Sequence, residues 1–217
     1  MAFIREEDRT EIRKRFAALT EPVKLIYFTQ ERECQYCRET RQLLEELTAL
    51  SDHLTLEVHD FVEDKALAEE LGVTQIPATV LIGERDYGIR FYGVPSGYEF
   101  STLLEDIIMV SQRDSGLPEA TRQALADVTT PMHLQVFVTP TCPYCPQAVF
   151  TAHQFAMENP NIVADMVEAT EFPHLAQRYK VRGVPKTVAN DIDAAEGAVP
   201  ADMLLENIRE ILAIPQN

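Results

Sequence analysis

The chain has 217 residues, of which 46 % are apolar and 25 % charged, an ordinary balance for a globular protein. This length suits one large domain or two small ones. The formal net charge of −16 is spread over both halves of the chain, which argues against a nucleic-acid partner and against docking on an anionic membrane.

Hydrophobic periodicity predicts alternating helices and strands in the first half of the chain. An amphipathic helix carrying Phe3, Ile4, Ile12, Phe16 and Leu19 comes first. The predicted elements that follow are a strand over 23–29, a helix containing 43–50, a strand over 53–61, a short helix over 64–71, strands over 78–82 and 89–92, and a helix over 100–110.

The second half repeats this order. Its predicted elements are a strand over 134–138, a helix containing 148–156, a strand over 162–167, a short helix over 172–179, a strand over 187–189, a weak fourth strand around 196–198 and a helix over 203–212. Between the halves, Gly116 and Pro118 indicate a turn that leads into a short helix. The pattern therefore predicts an α/β protein with two similar units.

All four cysteines lie in two Cys-x-x-Cys motifs, ECQYCRE around Cys34 and Cys37 and TCPYCPQ around Cys142 and Cys145. Each motif lies between a predicted strand and a predicted helix. This order places the first cysteine at a helix N-terminus, where the helix dipole favours a thiolate. The second cysteine, one turn further on, can attack a mixed disulfide. We therefore assign Cys34 and Cys142 as attacking thiols, and Cys37 and Cys145 as resolving thiols.

A proline follows each motif at the same distance. Pro77 lies 43 positions after Cys34, and Pro185 lies 43 positions after Cys142. Each proline begins a predicted strand, and the equal spacing favours cis peptide bonds over ordinary trans prolines. The backbone of the preceding residues, Ile76 and Val184, would then be free to pair with an extended substrate peptide.

Tyr36 and Tyr144 occupy the same position in the two motifs. They are candidates to flank the reactive sulfurs in a substrate site, and equally candidates for surface rings that stabilise the loop. Lys186, directly after Pro185, is predicted to be a solvated lysine.

The chain resembles a known family in its motifs and their spacing. A strand, Cys-x-x-Cys, a helix and then an Ile-Pro or Val-Pro strand start resemble the thioredoxin fold, and CPYC at 142–145 resembles glutaredoxins. Two such units, with CQYC first and CPYC second, are similar to the glutaredoxin-like protein disulfide oxidoreductases of thermophilic archaea and bacteria. The resemblance implies two tandem thioredoxin-like units, each a central mixed sheet flanked by helices. They are expected at 1–112 and 132–217, joined by a turn and short helix over 113–131.

The resemblance also implies a function. The family carries out dithiol–disulfide exchange on protein disulfides, with both cysteine pairs as redox centres and Pro77 and Pro185 as cis prolines. The implied electron source is a flavin-dependent reductase of the thioredoxin-reductase type, with no cofactor bound beyond the redox-active disulfides. A peroxiredoxin is a further possible partner. The charged N-terminal segment has no signal-peptide core, so we expect a cytoplasmic protein.

One departure from the family concerns proton transfer. Thioredoxins carry a buried acid near the position six residues before the first cysteine, where this chain has Phe28 and Val136. Any proton relay must therefore come from elsewhere or from water.

The sequence also predicts unequal sites. Glu33 precedes Cys34 and disfavours its thiolate. Thr141 before Cys142 can cap a helix, and Pro143 suits a first helical turn. The C-terminal site is therefore predicted to be the more reactive.

Three other functions remain open. An electron-transfer module that reduces a peroxiredoxin is the nearest, because the N-terminal region of bacterial alkyl hydroperoxide reductase flavoproteins resembles two fused thioredoxin folds, although its first unit lacks the cysteine pair. The second is a non-enzymatic redox sensor or chaperone. The third, a zinc site formed by all four cysteines, is disfavoured by the 104 residues between Cys37 and Cys142.

Overall fold

A computed structural model describes residues 3–214, and these residues form eight strands and eight helices. The strands are β1 (Val23–Thr29), β2 (Leu54–Asp60), β3 (Ala78–Ile82), β4 (Asp86–Tyr92), β5 (Met132–Val138), β6 (Ile162–Glu168), β7 (Lys186–Ala189) and β8 (Ile192–Glu196). The helices are α1 (Glu6–Phe16), α2 (Cys37–Thr48), α3 (Lys65–Glu70), α4 (Glu99–Gln112), α5 (Glu119–Ala126), α6 (Cys145–Glu158), α7 (Pro173–Arg178) and α8 (Ala201–Leu212).

The strands form one mixed sheet in the order β2-β1-β3-β4-β6-β5-β7-β8. In each half, the first strand pairs in parallel with the second and antiparallel with the third, and the fourth strand closes the half antiparallel to the third. The two halves join where β4 pairs in parallel with β6. The predicted α/β fold of two tandem units is confirmed, and the units share a sheet that continues from one to the other.

The fourth strand of the second half lies earlier than predicted. The sequence pattern indicates a strand around 196–198, but β8 ends at Glu196. Asn190 and Asp191 both have positive φ, at 46° and 66°, and they link Ala189 directly to its partner Ile192. Such a two-residue turn matches the right-handed twist of the strands, and Asn and Asp tolerate positive φ better than most residues. The tight turn therefore starts β8 six residues before Ala198.

The first helix is shorter than predicted. α1 begins at Glu6, so Phe3 and Ile4 precede it. Their backbone N–H groups donate to the Glu46 carboxylate, at 3.1 Å and 3.0 Å. Ile4 is nevertheless buried, so an apolar residue at this position indicates burial in the core and does not indicate a helix.

The main hydrophobic core runs through both halves without interruption. Ile89 and Phe91 of β4 lie in the same buried cluster as Phe155 and Ala156 of α6. The linker helix α5 also packs inward, with Leu125 fully buried. Within residues 3–214 no helix is both long and apolar enough to cross a membrane.

A polar cluster is buried where α4 packs on α6. Asp106 Oδ2 and His153 Nδ1 lie 2.6 Å apart, and both side chains are inaccessible to solvent. Glu99, at the start of α4, accepts a hydrogen bond of 2.9 Å from the Thr102 hydroxyl. Burial raises the pKa of Glu99 to about 7, so this carboxyl titrates near neutral pH.

The loop after β4 approaches the loop before Cys142 very closely. The Tyr98 backbone N–H donates to the Pro140 carbonyl at 3.1 Å. Gly97, with φ of 61°, lies so near that a Cβ atom on it would clash with the Pro140 carbonyl oxygen. Only glycine fits both the backbone conformation and this contact.

Gly97→Ala should therefore destabilise the protein by about 3 kcal/mol or more, because it adds a backbone clash to a left-handed conformation. Gly72→Ala is the matched control. Gly72 has φ of 65°, but a Cβ atom at this position would have nothing within 4 Å, so its loss should be only about 1–2 kcal/mol. Denaturant unfolding of both variants measures the difference, and equal losses would show that the contact with Pro140 is not tight.

Glu99→Gln should change how stability depends on pH. The native protein keeps a proton on Glu99 up to a pKa of about 7, whereas an unfolded glutamate with a pKa of 4.5 has lost it. Between these two values the native state binds more protons, so Glu99 lowers the free energy of unfolding as the pH rises. The variant should gain about 3 kcal/mol relative to the parent between pH 4 and pH 8. Unfolding of both proteins at the two pH values tests this, and a constant difference between them contradicts it.

Candidate active sites

The N-terminal site is a disulfide between Cys34 and Cys37, whose Cα atoms are 5.5 Å apart. α2 begins at Cys37, so Cys34 lies three residues before the helix and not at its first turn as predicted. The Tyr27 hydroxyl donates to the Cys37 carbonyl at 2.7 Å and fixes the start of the helix. Cys37 is 3 % exposed, whereas Cys34 is partly exposed, which suits a buried resolving thiol behind an accessible attacking thiol.

The C-terminal site has the same local geometry. Cys142 and Cys145 form a disulfide with Cα atoms 5.5 Å apart, and α6 begins at Cys145, which is fully buried. Cys142 is 7 % exposed, and its Sγ lies 3.7 Å from the Val184 carbonyl oxygen. In the reduced protein, the Cys142 thiol can donate a hydrogen bond to this oxygen.

Two of the sequence-based reasons for a more reactive Cys142 are wrong. The N-cap of α6 is Tyr144, no side chain caps the helix, and Thr141 is exposed. The proline in the first turn is Pro146, because Pro143 lies before the helix begins. Both errors have the same cause: each helix starts at the second cysteine of its motif.

Both predicted proline peptide bonds, Ile76–Pro77 and Val184–Pro185, are cis. At the N-terminal site, Ile76 and Pro77 line a pocket of about 280 Å³ together with Cys34 and Tyr36. The structure therefore brings the predicted residues of this site together. Tyr144, at the other site, is 69 % exposed.

The second unit closes one side of this pocket, which no sequence pattern indicates. Residues 170–173, from the loop between β6 and α7 and the start of α7, complete its lining. Among them, Glu171 has a pKa raised to about 7, mainly by burial. No spacing rule links Glu171 to Cys34, since their proximity depends on the β4–β6 pairing.

A polar cleft of about 750 Å³ lies on the other side of the Cys34–Cys37 disulfide. Its lining includes three arginines and three acids, namely Arg32, Arg38, Arg41, Glu31, Asp60 and Glu63. The two sides of the N-terminal site thus differ in charge, since cations are present only in the lining of the cleft.

Lys186, predicted to be solvated, is only 2 % exposed. Its Nζ donates to the Tyr179 carbonyl and pairs with Asp193, both at 2.9 Å. These partners compensate the burial of the ammonium group. Because β7 is central to the second unit, the residue after Pro185 points into the protein.

No group of three or more His, Cys, Asp or Glu side chains in the described part of the chain, residues 3–214, is arranged to hold a metal ion.

Comparison with known proteins places the chain among redox proteins. A model of the thioredoxin domain matches residues 132–213. The crystal structure of a protein disulfide oxidoreductase from Aeropyrum pernix K1 is 31 % identical, covers 97 % of this chain and 94 % of its own, and superposes with a TM-score of 0.91. The N-terminal domain of alkyl hydroperoxide reductase AhpF from Enterococcus faecalis V583 is 26 % identical, with 95 % and 100 % covered and a TM-score of 0.87.

Two curated relatives are considerably longer than this chain. The NADH dehydrogenase of Bacillus subtilis is 24 % identical over 75 % of this chain, and the AhpF component of alkyl hydroperoxide reductase from Staphylococcus epidermidis is 25 % identical over 78 %. The matched regions are only 30 % and 31 % of these relatives. The chain thus spans about a third of their length.

The fold and the paired cysteines are those of a protein built from two thioredoxin-like units, each with a disulfide in its Cys-x-x-Cys motif. The similarity to the Aeropyrum pernix enzyme extends over nearly the whole of both chains. The chain belongs to the protein disulfide oxidoreductase family.

Lys186→Met should destabilise the protein by about 2 kcal/mol, because the buried Tyr179 carbonyl loses its donor while most of the side-chain volume is kept. Lys180→Met is the control at an exposed lysine and should change stability by less than about 0.5 kcal/mol. Thermal or denaturant unfolding measures both. A loss at Lys186 no greater than at Lys180 would mean that the contact with Tyr179 contributes nothing.

Proposed function

We propose that the protein exchanges disulfides with protein substrates at both cysteine pairs. One observation supports this most directly: each pair lies beside the residue that precedes a cis proline. Cys34 lines one pocket with Ile76 and Pro77, and Cys142 Sγ lies 3.7 Å from the Val184 oxygen.

Cys34 and Cys142 are the attacking thiols in this proposal. The thiolate attacks a sulfur of the substrate disulfide, forms a mixed disulfide and releases one substrate thiolate. Cys37 or Cys145 then loses its proton and attacks the first cysteine. The bond to the substrate breaks, so two electrons pass from the dithiol to the substrate, whose released thiolates take up two protons. The reverse sequence oxidises a substrate dithiol.

Substrate binding is assigned to the backbone beside each pair. The peptide groups of Ile76–Pro77 and Val184–Pro185 would pair with an extended substrate segment, as in strand addition. Tyr36 would contribute to the wall of the N-terminal site, where it lines the pocket. Tyr144, exposed beside the C-terminal pair, would contact the substrate from outside.

The C-terminal pair is proposed to be the more reactive one. Glu33 and Glu171 line the same pocket as Cys34, and nearby carboxylates disfavour a thiolate. The arginines of the polar cleft offset part of this effect.

The redox partner that we propose is a flavin-dependent reductase of the thioredoxin-reductase type, which would supply electrons in the cytoplasm. The redox-active disulfides would serve without another bound cofactor. Support for a flavoprotein partner comes from the alkyl hydroperoxide reductase relatives.

The two redox units would correspond to residues 1–112 and 132–217, with 113–131 as the connection. In support of these bounds, α4 ends at Gln112 and β5 begins at Met132.

A second function, electron transfer to a peroxiredoxin, has a specific observation in its favour. The chain covers all of the Enterococcus faecalis AhpF N-terminal domain at a TM-score of 0.87.

Cys142→Ser should remove most of the insulin-disulfide reduction measured with dithiothreitol as electron donor, about tenfold or more, because the more reactive nucleophile is lost. Cys34→Ser should cost less. The Cys34→Ser/Cys142→Ser double variant provides the background rate. Equal losses in the two single variants would overturn the ranking of the sites, and a parent protein no faster than the double variant would overturn the proposed function.

A comparison of two substrates distinguishes the two functions. The protein would be reduced by a bacterial thioredoxin reductase and NADPH and assayed separately with insulin and with an oxidised bacterial peroxiredoxin. Faster NADPH consumption with insulin supports the broad oxidoreductase. Turnover confined to the peroxiredoxin supports the electron-transfer module.

A further inference from the structure

We propose that Glu171 of the second unit is the proton-transfer group for the Cys34–Cys37 pair of the first unit. The inference rests on the proposed function and adds a residue to one of its two sites.

The shared sheet carries Glu171 to this position. β6 runs parallel beside β4, with Tyr92 opposite Val167, so the loop after β6 emerges next to the end of β4. The Val94 backbone N–H, just after β4, donates to Glu171 Oε1 at 2.8 Å. This bond holds the carboxyl in the wall of the pocket that contains Cys34.

A glycine makes the close approach possible. Gly93 has φ of 97°, and a Cβ atom there would lie 2.7 Å from Glu168 Cβ and 3.1 Å from Glu171 Cδ. Its N–H donates to the Pro77 carbonyl at 3.0 Å. Gly93 therefore lies against both the cis proline of the first unit and the carboxyl of the second.

One of the two Glu171 carboxyl oxygens has no hydrogen-bond partner in the described part of the chain and could accept a proton. Oε1 accepts from Val94, while Oε2 is buried without a hydrogen-bond partner. Glu171 and Cys34 line the same pocket. Its charge also acts on the buried Tyr27 hydroxyl, which donates to the Cys37 carbonyl. Glu171 thus lines the pocket of Cys34, and its charge reaches the tyrosine that is hydrogen-bonded to Cys37.

The charged groups around Glu171 favour its protonated form. Glu168 accepts from the Glu171 backbone N–H at 2.6 Å, its negative charge adds to the effect of burial, and Glu33 lies across the pocket. Tyr36 lines the same pocket, and the charge of Glu171 also acts on the buried Tyr27. Within residues 3–214, no lysine or arginine is among the causes of its pKa shift. A carboxyl with a pKa of about 7 can both accept and return a proton near neutral pH.

The proposed step conserves protons and electrons. In the mixed disulfide, the Glu171 carboxylate takes the proton from the Cys37 thiol. The Cys37 thiolate attacks Cys34 Sγ, and the bond between Cys34 and the substrate sulfur breaks. The leaving substrate thiolate then takes the proton from Glu171, which returns to its carboxylate form.

At the C-terminal site, no strand pairing of this kind among the described residues brings in a neighbour. By the repeat, β8 corresponds to β4, and β8 is the edge strand of the sheet formed by residues 3–214. No loop from a further strand in this part of the chain can reach the Cys142–Cys145 pair in the same way. The role proposed for Glu171 is therefore confined to the N-terminal site.

Glu171→Gln tests the proposal in a full-length protein that also carries Cys142→Ser and Cys145→Ser, so that only Cys34 and Cys37 react. The reduced protein is mixed with dithiobis(nitrobenzoate). The first coloured thiolate reports attack by Cys34, and the second reports resolution by Cys37. We expect Glu171→Gln to slow the second phase about tenfold or more at pH 7.5. The glutamine keeps an oxygen for the Val94 N–H.

The pH profile distinguishes proton transfer from a structural effect. With Glu171, the rate of the second phase should rise through the pKa of about 7; with glutamine, that inflection should vanish. If the rate of the second phase in Glu171→Gln stays within twofold of the parent rate at each pH, the proposal is overturned. A rate that is lower at every pH but keeps the inflection also overturns it, since that result indicates an effect on packing alone.

Two further measurements complete the test. Glu171→Gln in a protein with Cys34→Ser and Cys37→Ser is the matched control and should leave both phases at Cys142 and Cys145 unchanged; slowing there overturns the specificity. Carboxyl carbon NMR of the reduced parent needs no variant at all, and a Glu171 titration at the ordinary pKa overturns the proposal. Because the reagent is a small disulfide, a failure with insulin would overturn only the proposed function.

Discussion

The parallel pairing of β4 with β6 is the contact on which the rest of the molecule depends. It turns two four-stranded halves into one sheet and lets a single hydrophobic core extend through both. Because the halves join head to tail, the last strand of the first unit lies against the second strand of the next. The fourth strand of the first unit, β4, is therefore paired with a strand of the second unit. The fourth strand of the second unit, β8, is an edge strand of the sheet formed by residues 3–214.

This arrangement explains how two copies of one motif acquire different surroundings. Both sites share a strand, a disulfide, a helix that starts at the second cysteine and a cis proline. The Cys34 pocket is lined in part by residues 170–173 of the other unit. The loop before Cys142 instead touches the first unit through Tyr98 and Gly97. Each unit thus contributes to the environment of the other's cysteines, by contacts that the repeat does not duplicate.

Buried and partly buried ionisable groups lie at the junction between the units. Glu99, Asp106 and His153 lie where α4 meets α6, and Glu171 lies at the ends of β4 and β6. Desolvation is the largest cause of the raised pKa values of both glutamates. The junction therefore combines structural packing with groups that change charge near neutral pH. A purely apolar contact between the units would have no such response.

The sequence alone determined the repeat, the α/β order and the cysteine and proline positions, because these depend on local periodicity and on spacing along the chain. β1 and β3 have their predicted bounds for that reason. Local rules failed at Thr141 and Pro143, where the helix starts one turn later, and at Lys186, where a buried strand overrides the usual exposure of lysine. Only the tertiary structure decided that Glu171 approaches Cys34, since the sheet pairing that joins them leaves no signal in the spacing of either residue.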